Sequence, residues 1–232
     1  KTKCFNILKA PHSAELVYFC TMRTFIDDVV DKVWNEHPSI SNVIFVLPSK
    51  RAGTFLKEAL SKKAGKPIFA PAVHSIEEFV ESVSGLSYAT NTEQVFELYT
   101  AYLQTGTYKK ETFDTFLTWG ETLLQDFNEV DRYLVNAEAL FSNLSAIQEI
   151  NHWSTSSEKT ALIENYLSFW KNILPIYNTF NKNLINKGIG HQGLVYRQAS
   201  ENLDNYLKKK TNVHIFLGFN ALNEAESRII QT

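Results

Sequence analysis

The chain has 232 residues, 44% of them apolar and 13% aromatic, with a net charge of −2. That is enough for one large domain or two small ones around a substantial core. It excludes a disordered chain, a disulfide-dense scaffold (Cys4 and Cys20 are the only cysteines) and a global electrostatic pull toward nucleic acid.

Residues 1–21 carry no clear periodicity, and Met22 is the only methionine. Residues 1–21 are therefore expected to be upstream or non-native sequence. Leu16-Val17-Tyr18-Phe19-Cys20 is too short for the apolar core of a signal peptide. Thr24 is placed to cap a helix running to Trp34, with Asp27 as its capping partner and Phe25, Ile26, Val29, Val30 and Val33 as its apolar stripe. Val43–Leu47 is an unbroken apolar run that stops at Pro48 and reads as a buried parallel strand. A helix is predicted over 53–63, with Phe55, Leu56, Ala59 and Leu60 inward, and Gly65-Lys66-Pro67 ends it. Ile68-Phe69-Ala70 reads as a second, short strand. Ser75 is expected to cap a helix from Ile76 to Val83, with Glu78 completing a capping box.

Further helices are predicted over 92–103, 113–127, 137–144 and 160–184, the last carrying Pro175, which should kink or break it. Gly188 to Gly193 reads as a loop, 194–207 as a helix, and Val213–Leu217 as a second buried strand that stops at Gly218. A helical pattern from about Asn223 is still running at Gln231-Thr232, so the chain is expected to be a piece of a longer protein. Strand–helix alternation at both ends, with helix between, predicts an α/β fold. Residues 22–90 and 186–232 would form one discontinuous parallel sheet layer, in which 43–47 and 213–217 lie together. Residues 91–185 would form an inserted all-α lobe with Trp119 and Trp170 in its core.

Few residues suggest chemistry. Ser49-Lys50-Arg51 follows a parallel strand directly, where α/β folds place ligands. Lys57, Lys62, Lys63 and Lys66 continue the basic character, with Glu58 as the local opposing charge. They read either as a solvated helix face or as a phosphate-binding patch. His74 reads as a helix-entry contact or a structural histidine. His152-Trp153 reads as a base-stacking pair or as core. Asp126, Glu129 and Asp131 do not share one helix face, which favours solvated positions and caps over a metal site. Asp131-Arg132 is expected to form at most a local ion pair. His191 has no nucleophile or ligand set beside it in the sequence. No Ser-His-Asp, Cys-His or zinc pattern occurs, and no apolar run reaches the ~18 residues of a membrane span.

Taken in order, Val43 to Leu60, Val73 to Phe79, Leu124 to Tyr133, Gln192 to Arg197 and Gly218 to Leu222 resemble the amino-terminal region of AddB-type helicase–exonuclease subunits, in the short form found in Bacteroidetes-like bacteria. The resemblance covers residues 22–232. It implies a P-loop-helicase-like sheet of the superfamily 1 kind, related to UvrD and RecB, and a PD-(D/E)XK nuclease domain farther along that uses Mg²⁺. It also implies a cytoplasmic protein with no membrane partner, acting in DNA repair and recombination. The partners would be DNA, as a single strand or duplex end, and an AddA-type helicase-nuclease subunit. Ser49, Lys50, Arg51, His74 and Ser75 match the elements that touch DNA.

Two parts of a helicase motor are missing from the pattern. No G-x-x-x-x-G-K-[ST] occurs, and Cys20-Thr21-Met22-Arg23, ahead of the first helix, contains no glycine to wrap a phosphate. Where a motor ends its second-motif strand in Asp-Glu to hold Mg²⁺, this chain reads Gly218-Phe219-Asn220. The expectation is a segment with no catalytic residue, cofactor or metal, which guides DNA and scaffolds a helicase partner and a nuclease domain. The alternatives are an active ATP-dependent helicase fragment whose P-loop lies outside this stretch, and a protein-interaction module without DNA binding.

Overall fold

The computed structural model describes residues 23–37, 39–106, 110–151, 161–209 and 212–231. Residues 1–21, with both cysteines, and His152-Trp153 lie outside them. The elements in chain order are α1 (Phe25–Glu36), β1 (Val43–Leu47), α2 (Lys50–Ala64), β2 (Ala72–Ser75), α3 (Ile76–Ser84), β3 (Ser87–Tyr88) and α4 (Asn91–Gln104). There follow α5 (Phe113–Arg132), α6 (Ala137–Asn151), α7 (Ala161–Asn186), β4 (Ile189–Gly190), α8 (Gln192–Lys209), β5 (Val213–Phe216) and α9 (Glu224–Gln231). The protein is a mostly helical α/β fold with a small parallel sheet of three strands. It divides into two compact units. One comprises the described residues up to Ser75 plus Asn212–Leu217, and the other comprises the rest.

In the first unit the sheet order is β2-β1-β5, all parallel. β1 is buried at all five positions, which is why its run is apolar at successive rather than alternate residues. Ile44 to Leu47 pair with Ala72 to Ser75, and Val43 to Val46 pair with Val213 to Phe216. The two runs expected to share a sheet are therefore neighbours, with residues 48–212 intervening. Val43, Phe45 and Leu47 pack on one face against Val30 and Val33 of α1 and Leu56 and Leu60 of α2. The strand's two-residue period thus meets most of the helical stripes predicted for both helices. Phe25 and Phe55, expected inward, are instead exposed at 64% and 52%, because each falls to the outer side of its helix.

The strand expected at Ile68-Phe69-Ala70 is not there, and β2 begins instead at Ala72. Pro67 and Pro71 bracket the expected strand, and Pro71 cannot donate to a ladder. Phe69 points to solvent, 89% exposed. Ser75 is both the last residue of β2 and the residue before α3.

In the second unit the described elements from residue 91 to residue 186 are all helices, α4 to α7. α7 runs through Pro175 without a break. The hydrogen bond lost there is offset by a long buried face that includes Ile173, Ile176, Tyr177, Phe180 and Leu184. The stretch expected as a loop contains β4, whose Ile189 and Gly190 pair in parallel with Ser87 and Tyr88 of β3. α3 packs on α8, with Phe79 and Tyr206 edge to face at 5.7 Å. These two helices therefore group with the helical unit, so the units do not divide at 90/91 and 185/186. Trp119 and Trp170 are half-buried. Trp119 stands edge-on to Phe116 at 4.7 Å and to Phe169 at 5.1 Å. The deepest aromatic core is Phe116, Phe127 and Phe180.

Candidate functional site at the carboxyl edge of the sheet

Pro48 ends β1, and Ser49 then adopts an extended conformation as the N-cap of α2, its Oγ accepting the Ala52 N–H at 3.3 Å. That cap sets Lys50 and Arg51 as the first two helical residues. Because β2 is parallel to β1 with Val46 opposite His74 and Leu47 opposite Ser75, the ends of both strands lie side by side. The five residues expected to contact DNA are thus gathered at one edge. Ser49, Lys50 and Arg51 are exposed and His74 is half-buried, whereas Ser75 is buried at 3% and presents no surface to a ligand.

The electrostatics of this edge run against helix rules. The first turn of α2 has no acidic residue and two cations. Each cation stands at the positive end of the helix dipole, at a cost of about 0.3–1 kcal/mol. No carboxylate pairs with Arg51 among the described residues. At Arg51 the local rule is broken with no ion pair among the described residues, which marks a place where an external anion would supply one. The remaining lysines of the patch are not equivalent. Lys62 pairs with Glu58 at 2.7 Å and Lys63 with Asp31 of α1 at 2.6 Å, so Glu58 is not the only opposing charge.

α1 has the opposite character at its N-terminus. Thr24 and Asp27 form the predicted capping box, with the Asp27 carboxylate accepting both the Thr24 N–H and its hydroxyl at 2.9 Å. Those bonds hold the Asp27 carboxyl below the usual carboxylate range. Asp28 sits in the same turn. An anion approaching this helix end would meet the Asp27 carboxylate and that of Asp28, the latter paired with Arg23 at 3.2 Å. At the end of β5, Leu217 is followed by Gly218 in the left-handed region (φ 83°), then by Phe219 and Asn220. Among the described residues no group of three or more His, Cys, Asp or Glu is arranged to hold a metal. No described helix is long and apolar enough to cross a membrane.

Sequence reasoning missed a buried polar cluster in the helical unit. Asp131 is fully buried in α5, and its carboxylate accepts four donors. Oδ1 takes the Tyr177 hydroxyl and Arg197 Nε (2.6 Å), while Oδ2 takes Asn181 Nδ2 (3.0 Å) and His191 Nε2 (3.2 Å). His191 Nδ1 accepts the Leu194 N–H at 3.2 Å, which puts the ring proton on Nε2, facing Asp131. The ring stacks on Phe180 at 5.5 Å and 4°. Asn128 Oδ1 accepts the Gly193 N–H at 2.7 Å, and Arg197 Nη2 donates to the Val130 and Val135 carbonyls. Asp131 is therefore not the solvated acid expected, and its partner is Arg197 rather than Arg132, which lies 3.7 Å from Glu129. The available signal was position: Asp131 lies four residues after Phe127 and seven after Leu124, on the buried stripe of α5.

No protein-family model matches the chain, and no curated protein matches it. The stretches 124–133 and 192–197 meet at Asn128–Gly193 and Asp131–Arg197. Their contacts clamp α5 to α8, with Asp131 fully buried and Asn128 and Arg197 half-buried.

Proposed function

We propose that this chain is a catalytically silent, helicase-like region of a DNA double-strand-break repair exonuclease subunit. In this reading it guides one DNA strand and scaffolds an AddA-type helicase-nuclease partner and a nuclease domain that uses Mg²⁺. The observation that carries the reading is the meeting of Lys50, Arg51 and His74 at the carboxyl edge of β1 and β2, with no acidic residue in the first turn of α2. A nucleic-acid backbone supplies the anion that the first turn of α2 lacks. Silence toward ATP is supported by the capping box that closes the N-terminus of α1 and by Gly218-Phe219-Asn220 in place of a metal-holding Asp-Glu pair.

The test is anisotropy titration of a fluorescent oligonucleotide at several salt concentrations. The Lys50→Ala/Arg51→Ala double variant should weaken single-strand binding about equally across sequences and flatten the salt slope by roughly one to two. Unchanged affinity and slope would return both residues to a solvated helix face and favour a protein-interaction module without DNA binding.

A further inference from the structure

We infer that the sheet-bearing unit carries a second docking site, separate from the carboxyl edge, for an acidic peptide that presents one apolar side chain. A hollow of about 250 Å³ lies between the carboxyl half of α2 and the chain leading into β2. Its walls are aliphatic, formed by Leu60, Ala64, Pro67, Ile68, Pro71 and Val73, and Lys57 and Lys66 flank them. No carboxylate lines it, and neither lysine has an ion-pair partner among the described residues. Lys57, Ser61 and Ala64 follow at i, i+4 and i+7, one face of the helix. Gly65, left-handed at φ 61°, ends α2 and turns the chain, and Pro67 and Pro71 restrict the far wall. The hollow is therefore preformed and would cost little ordering entropy to fill. Phe69, 89% exposed beside Ile68, extends the apolar surface beyond the rim.

The occupant follows from shape and charge together. The hollow is side-chain-sized, concave and walled by aliphatic groups, which suits one inserted apolar side chain. Stacked bases use flat aromatic platforms instead. Two unpaired lysines on the rim attract carboxylates flanking that anchor. The site lies at the amino end of β2, whereas Lys50 and Arg51 follow the carboxyl end of β1. It therefore stands independently of the DNA reading.

The experiment uses the full chain and a fluorescein-labelled peptide of four aspartates followed by one leucine. A peptide with lysines for aspartates and a labelled oligothymidylate serve as comparison probes. The acidic peptide should bind, more tightly at low salt, and the lysine peptide should not. Lys57→Glu/Lys66→Glu should weaken the acidic peptide by about tenfold or more, and Ser61→Trp, which fills the hollow at unchanged charge, should do the same. Lys50→Ala/Arg51→Ala should leave peptide binding unchanged, so failure of the DNA reading does not affect this one. No binding of the acidic peptide, or binding that both hollow variants leave intact in thermally stable protein, overturns the inference. So does an oligothymidylate that loses affinity on Lys57→Glu/Lys66→Glu while the peptide fails to bind, because the hollow would then be a nucleic-acid contact.

Discussion

Asp131 owes its place to four donors converging on a fully buried carboxylate. Burial pushes its pKa up, but the hydrogen bonds from His191 and Tyr177 and the charge of Arg197 outweigh that and hold it below its ordinary value. Removing the carboxylate leaves the Tyr177 hydroxyl and Arg197 Nε without their acceptor. Asp131→Ala should therefore cost about 3–5 kcal/mol in urea unfolding. A carboxylate depressed in the folded state stabilises the fold above its unfolded-state pKa of about 3.9 and loses that contribution as pH falls through the lower folded value. The wild type should accordingly lose more stability than Asp131→Asn between about pH 5 and pH 3, read from urea midpoints. Gly193 has a different constraint, since a Cβ there would stand 2.1 Å from the Asn128 carbonyl oxygen. That oxygen belongs to the α5 backbone and cannot move without parting α5 from α8. Gly193→Ala should destabilise by at least about 2 kcal/mol, measured the same way.

At the scale of elements, α2 holds two opposed features at its first turn. Ser49 caps the helix, so Ser49→Ala should cost about 1 kcal/mol. Arg51 works against the helix dipole, so Arg51→Ala should leave thermal stability unchanged or raise it by about 0.3–1 kcal/mol, even as oligonucleotide affinity falls. A clear loss of stability in Arg51→Ala would mean that the cation has a structural partner, and the argument for an external anion would lapse. α7 makes the converse point. Pro175 opposes the helix locally, and the buried series from Ile173 to Leu184 overrides it.

At the scale of the whole molecule, β5 closes the sheet from far along the chain. Val213–Phe216 pair with β1, and the Leu217 N–H donates to the Val46 carbonyl at 2.9 Å. Loop-closure entropy makes such pairing late and slow to form. A chain ended before Asn212 should expose the β1 edge, scatter light at concentrations where the full chain does not, and lose hydrogen-exchange protection across β1. Protection kept in the shortened chain would show that β1 is held by its faces alone.

The amino-acid sequence by itself determined the pieces whose signal is local. β1 was readable because burial on both faces demands consecutive apolar residues, and α1 because Thr24 and Asp27 satisfy each other within one turn. β5 was readable from its apolar run, although it is an edge strand with Val213 exposed rather than the buried strand expected. Glycine and proline punctuation placed Ser49, Lys50 and Arg51 directly after a strand. Only the tertiary structure decided which distant groups meet. It moved the second strand from Ile68–Ala70 to Ala72–Ser75, where it lies beside β1 with His74 at the shared edge. It formed the two-residue pair β3–β4, too short to show any period, and drew Asp131 out of apparent solvent into one buried cluster with His191. The reason is physical: helix and strand periods are written within a few neighbouring residues, whereas a buried charge is stabilised by partners far along the chain, here Tyr177, Asn181, His191 and Arg197.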